Sequence, residues 1–218
     1  VLIPDPAYLA YPACVSIAHG VPVLVPTYAK DEFRLTVEEL EKKVTPKTKA
    51  ILIGYPNNPT GTIMDRASLE KVAAFAKAHD LIVIADEIYC DLTYEGQHTC
   101  FASLPDMQER TIVLNGFSKS YAMTGLRIGY VCAPREALEE IYKVHQYEIL
   151  CASTTSQYGA IEALRNCDDD VKAMFEEYAA RREMIYQGLV DIGLTVFKPK
   201  GAFYIFPDIS CTGMNEEE

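Results

Sequence analysis

Two short apolar runs, with an amphipathic stretch between them, restrict this chain more than any other feature. Residues 50–54 and 81–85 carry no polar side chain, so each reads as a strand buried on both faces. Between them Asp65 is placed to cap a helix whose Leu69, Val72, Ala73 and Ala76 fall on one face. Strand, helix and strand in that order form a crossover unit, with parallel strands and the helix lying outside the sheet. Residues 1–3, 21–25 and 111–114 add strands. Residues 8–18 add a helix stopped at Gly20, and residues 36–46 add one opened by the capping-box pair Thr36 and Glu39. Only 11 residues, 116–126, precede the next apolar run at 128–133. That is short for a helical crossover, so the last strand is expected to run antiparallel, giving an α/β fold on a mixed, mostly parallel sheet.

Beyond Pro134 the pattern turns helical, over 136–145, 155–165 and a long charged stretch at 171–190, where Arg181 and Arg182 read as a solvated face. Residues 194–197 and 202–206 read as a hairpin split by Lys198-Pro199-Lys200-Gly201, the opening of a second domain. The chain begins without Met in what reads as the middle of a strand, so a processed chain or a piece of a longer protein is expected.

Composition excludes several function classes. The formal charge is −11, with Asp168-Asp169-Asp170 and Glu216-Glu217-Glu218 in the acidic excess and no basic run, so a nucleic-acid partner is not expected. No apolar run approaches the ~20 residues of a membrane span. Seven cysteines without a C-x-x-C pair read as buried thiols in a reducing compartment, and a cytoplasmic location is the expectation. The four histidines lack ligand spacing, so no metal site is expected.

The chemistry gathers at strand ends. Asn58, Asp86 and Lys119 each lie at or beyond the carboxyl end of a different strand, at the edge where open α/β sheets bind ligands. Tyr89 follows Asp86, and Arg127 comes eight residues after Lys119. An amide, a carboxylate, a phenol, a lysine and an arginine suit a ligand with a ring nitrogen, a phenolic oxygen, an aldehyde and a phosphate. Each residue alone has a plainer reading: a surface lysine, an acidic strand end, a turn at 57–61, a core tyrosine.

Three motifs together resemble the class I/II aminotransferases of PLP-dependent fold type I, in their aspartate-aminotransferase-like branch. They are Asn57-Asn58-Pro59-Thr60-Gly61, Asp86-Glu87-Ile88-Tyr89, and Gly116-Phe117-Ser118-Lys119 running to Arg127-Ile128-Gly129. The resemblance implies a three-layer α/β/α fold that binds pyridoxal 5′-phosphate. Residues 1–168 would belong to the cofactor-binding large domain, and 169–218 to a connecting helix and the start of a small domain. It implies Lys119 as the residue forming the internal aldimine and shuttling the substrate proton, and Asp86 as the partner of the pyridine nitrogen. Tyr89 and Asn58 would donate to the phenolic oxygen, Arg127 and Ser118 would bind the phosphate, and Tyr8 would stack on the ring. Gly116 departs from the phosphate-binding serine of many relatives. The family's substrate-carboxylate arginine and remaining phosphate-loop residues are expected outside these 218 residues. The implied activity is amino transfer between an L-amino acid and a 2-oxo acid by a homodimer. A carbon–sulfur β-lyase of the same fold and a non-catalytic PLP-sensing regulatory domain stand as alternatives.

Overall fold

The computed structural model describes residues 1–215, so the terminal glutamates lie outside the described residues. Six strands form one sheet in the order β2-β1-β3-β4-β5-β6. They are β1 (Leu2–Asp5), β2 (Val23–Pro26), β3 (Ala50–Gly54), β4 (Ile82–Asp86), β5 (Thr111–Gly116) and β6 (Gly129–Cys132). The first five run parallel, and β6 pairs antiparallel with β5, as its short link requires.

Strand alternation builds the layers. Leu2, Ile51, Ile53, Val83 and Ala85 point to one face, where α2 (Val37–Glu41) and α3 (Arg66–Ala78) close the main core with Leu40, Leu69, Val72 and Phe75. Ile3, Leu52 and Ile84 point to the other face, covered by Val15 and Tyr11 of α1 (Ala10–Ile17). Three layers α/β/α result. The helix starts follow their signals: Asp65 accepts from Ser68 N at 2.7 Å and Thr36 from Glu39 N at 3.4 Å. α2 ends after five residues, where the pattern suggests a helix to 46, because Lys43 N and Val44 N both turn back on Leu40 O at 3.0 Å. At the end of α1 it is His19 that takes the left-handed conformation (φ 58°), while Gly20 N closes on Val15 O at 2.8 Å.

Three helices follow, α4 (Arg135–Glu148), α5 (Thr154–Asn166) and α6 (Asp168–Asp191). Then β7 (Thr195–Val196) pairs antiparallel with β8 (Pro207–Asp208). The second hairpin strand is therefore at 207–208, and the expected strand at 202–206 does not form. The segment that enters it is tied elsewhere. Lys200 N and Gly201 N both donate to Gly61 O at 2.9 Å, Ala202 N donates to Leu92 O at 2.8 Å, and Tyr94 N donates to Lys200 O at 2.8 Å. Arg182 also departs from the solvated reading. Its side chain is only 13% exposed, with Nη1 donating to Pro199 O at 3.0 Å and to Glu95 at 3.1 Å and the guanidinium over the Tyr94 ring. Nor are the cysteines buried: Cys14, Cys132, Cys151 and Cys211 are exposed, the other three partly so, and all are free thiols.

Ile51 is fully enclosed between β1, β4 and α3, whereas Ile82 on the opposite face is 41% exposed. Ile51→Ala is expected to lower the unfolding free energy by about 2–5 kcal/mol, and Ile82→Ala by well under half of that. Urea unfolding followed by circular dichroism measures both.

Candidate active site

The strand order reverses about β1, which is flanked by β2 on one side and β3 on the other. At such a point the loops leaving adjacent strands diverge and open a crevice at the carboxyl edge. A cleft of about 510 Å³ lies there, lined by all seven residues expected from the sequence: Tyr8, Asn58, Asp86, Tyr89, Ser118, Lys119 and Arg127. Tyr8 comes from the segment after β1, Asn58 from the turn after β3, Asp86 from the last position of β4, and Lys119 from three residues past β5.

Asp86 occupies the same face of β4 as Ile82 and Ile84, the face under α1, because side chains repeat every second residue. There Tyr11 Oη donates to Asp86 Oδ2 at 2.8 Å, and Ile88 N donates to Oδ1 at 3.2 Å. Gly54 is Asp86's register partner on β3, and a Cβ at Gly54 would lie 2.5 Å from Tyr11 Oη. The missing side chain of Gly54 is thus the slot that admits the tyrosine hydroxyl. Burial pushes the Asp86 carboxyl above the usual range, against the pull of those two donors. Among the described residues no cation forms an ion pair with it.

Lys119 is half-buried, its Nζ 5.6 Å from the centroid of Tyr89 and 5.5 Å from that of Phe203. Among the described residues Nζ has no hydrogen bond or ion pair. The turn at 57–61 divides two tasks between two asparagines. Asn57 holds the turn, accepting from Thr60 N at 3.1 Å and Thr60 Oγ1 at 2.7 Å and donating to Gly54 O at 3.3 Å. Asn58, its amide unpartnered among the described residues, faces the cleft.

Arg127 is exposed at the cleft rim in the left-handed conformation (φ 50°), Nη1 donating to Thr124 O at 3.0 Å. Its loop is pinned by Thr124 Oγ1 donating to Ser118 O at 2.9 Å and by Ser156 Oγ donating to Leu126 O at 2.6 Å. Tyr8 is 49% exposed and meets Tyr11 edge-on at 5.6 Å. At Gly116 a Cβ would stand 2.9 Å from Gly129 Cα, so the close β5–β6 contact excludes a serine there.

Sequence reasoning missed Tyr11 and Tyr204. Tyr11 lies three residues after Tyr8, a helical spacing that puts both on one side, and that signal could have found it. Tyr204 Oη sits 2.7 Å from Tyr89 Oη, yet it lies in a run that reads as a strand and gives no local sign. Burial raises the pKa of both Tyr11 and Tyr89 far above the tyrosine norm, so both keep their protons at any working pH.

Fold and cleft together define an open α/β protein with a polar crevice at the switch point of its sheet. The family model for aminotransferase class I and II matches residues 1–217, and the chain belongs to that family. It is 47% identical over its whole length to a putative aminotransferase of Bacillus subtilis and 49% identical to an aspartate aminotransferase of Pyrococcus abyssi, spanning 56% and 57% of their lengths. Among solved structures it is similar to an aromatic aminotransferase from Pyrococcus horikoshii OT3, with a TM-score of 0.96, 48% identity, and 98% of this chain against 58% of that one. Aspartate aminotransferase from Thermus thermophilus with maleate superposes with a TM-score of 0.91 at 36% identity, covering 96% of this chain and 55% of that one. The chain thus spans little more than half the length of these relatives. The family is dependent on pyridoxal 5′-phosphate.

Because the folded pKa of Asp86 is raised, its contribution to stability is full below the unfolded carboxylate pKa and is lost as pH rises through the folded value. In cofactor-free protein Asp86→Asn is therefore expected to raise the melting temperature at pH 7–8. The gain should vanish below about pH 4, as thermal scans across pH would record.

Proposed function

We propose that the protein is a PLP-dependent aminotransferase that moves an amino group between an L-amino acid and a 2-oxo acid. One observation carries the reading: Lys119, Asp86 and Asn58 converge on one cleft with no polar partner for Lys119 and Asn58 and no cation for Asp86. This donor set fits the cofactor group by group. Lys119 Nζ would hold the cofactor's aldehyde. Asp86, already short of a cation, would accept from the ring nitrogen. Asn58 Nδ2 and Tyr89 Oη would donate to the phenolic oxygen. Arg127, with most of its guanidinium donors uncommitted, and Ser118 Oγ bind the phosphate, a task for which the planar fork of arginine is suited. The ring of Tyr8 covers one face.

When bound, the cofactor supplies an electron sink for the bond broken at the substrate α-carbon. The chain's own part is to place acid and base. Lys119 Nζ takes the α-proton and returns it one position along, a transfer that needs a flexible amine beside the reacting carbon. Tyr11 and the Ile88 N–H offset part of the burial that raises the Asp86 pKa, favouring the charged form that would face the ring nitrogen.

A homodimer in the cytoplasm, with residues 1–168 as part of the cofactor domain and 169–218 opening the second, is the organisation proposed with it. The relatives' greater length supports the second domain.

Borohydride reduction of the cofactor-loaded protein, followed by peptide mapping, is expected to leave the label on Lys119. Label on any other lysine would refute the assignment. Lys119→Ala should leave no reducible adduct. Arg127→Lys should weaken cofactor binding by about tenfold or more, the loss of one charged hydrogen bond, measured by equilibrium dialysis.

A further inference from the structure

Residues 199–204 cross from α6 to the cleft as a strap fastened at both ends. Arg182 of α6 holds Pro199 O, and Gly61 O takes the N–H groups of both Lys200 and Gly201. Gly61 has a φ of 69°, and a Cβ there would stand 2.3 Å from Pro199 Cβ, so a glycine is needed both for its backbone and for the strap's seat. Past Ala202, whose N–H is held by Leu92 O, the strap delivers two rings. Phe203 meets Tyr89 edge-on at 5.3 Å and stacks on Tyr178 of α6 at 5.5 Å. Tyr204 meets Tyr89 at 5.7 Å, their hydroxyl oxygens 2.7 Å apart.

We propose that Tyr204 is a positioning residue of the cofactor site: it donates its hydroxyl proton to Tyr89 Oη and so commits the proton of Tyr89 to the cofactor's phenolic oxygen. The inference rests on the aminotransferase reading above. A tyrosine hydroxyl carries one proton, so a pair this close must choose a direction. If Tyr89 donated to Tyr204, nothing would remain for the phenolic oxygen. With Tyr204 as donor, both protons point toward the cleft, and the first bond polarises Tyr89 and strengthens the second.

The phenolic oxygen, as an anion, attracts the proton held at Lys119 Nζ in the loaded protein. A donor that partly neutralises that oxygen loosens the lysine proton and lowers its titration midpoint. The other titratable and charged groups around the pair are Tyr8 and Tyr11 on the α1 side, Asp86 from β4, Lys119 and Arg127 from beyond β5, and Tyr178 from α6. Tyr204→Phe leaves all of them in place and keeps the ring packing.

The test is a spectrophotometric pH titration of the cofactor-loaded full-length protein, its label first mapped to Lys119. Tyr204→Phe removes only the polarisation of Tyr89, which can still donate, so the midpoint is expected to rise by roughly 0.1–0.3 pH unit, a fraction of one neutral hydrogen bond. Tyr89→Phe should raise it at least as far, and adding Tyr204→Phe to Tyr89→Phe should move it no further. An unmoved midpoint in Tyr204→Phe, or additive shifts in the double variant, would overturn the relay while Lys119 labelling keeps the cofactor assignment. Label away from Lys119 defeats both.

Discussion

The common register of three parallel strands is the constraint on which the site depends. Gly54, Asp86 and Leu114 are register partners across β3, β4 and β5, so β3 and β4 end at one level and β5 runs two residues further beside β6. Hydrogen bonding between strands sets that level, and burial of Ile51, Val83 and Val113 keeps it from slipping. Each loop then starts within two residues of that level and has only a few residues in which to place its polar group. Nothing in the cleft needs a long reach, and the lysine, carboxylate and amide are fixed by the sheet more than by their loops.

That arrangement concentrates unmet polarity. Asp86 is held above its ordinary pKa by burial and steadied only by Tyr11 and one backbone N–H. Lys119 faces aromatic rings, and Asn58 faces open space. In a folded protein such groups usually find partners within the chain, so their convergence on one cleft is a mark of a site shaped for a ligand with complementary charges. The neighbouring Asn57 shows the contrast, since its amide is fully spent on its own turn.

Much of this was legible in the residues. The two-sided apolar runs gave the parallel strands, and the short link before β6 gave its direction. The three motifs gave every side chain assigned from them to the cleft. What could not be read was long-range pairing. Residues 202–206 carry apolar residues suited to a strand, yet the N–H of Ala202, like those of Lys200 and Gly201 before it, is claimed by a carbonyl more than a hundred residues earlier, and the alternation went instead into packing on Tyr89 and Leu92. Arg182 looked like any charged residue on a long helix until the strap supplied a carbonyl for it. Tyr204 reached the site by the same route. Tertiary contacts of this kind leave no local period, whereas Tyr11 left a helical spacing that a closer reading would have used.

The two-residue period of β4 has a further consequence, for which sequence changes the family could accept. Inserting one residue between Ile82 and Asp86 would rotate the carboxylate to the opposite face, among Leu69 and Val72, where it would meet neither Tyr11 nor the cleft. An insertion at residues 96–97, in exposed loop, would leave the strand phase untouched. Length variation among relatives should therefore gather just downstream of the motif and stop abruptly at it. On this view the spacing inside β4 is held by geometry as strictly as the identity of the aspartate is held by chemistry.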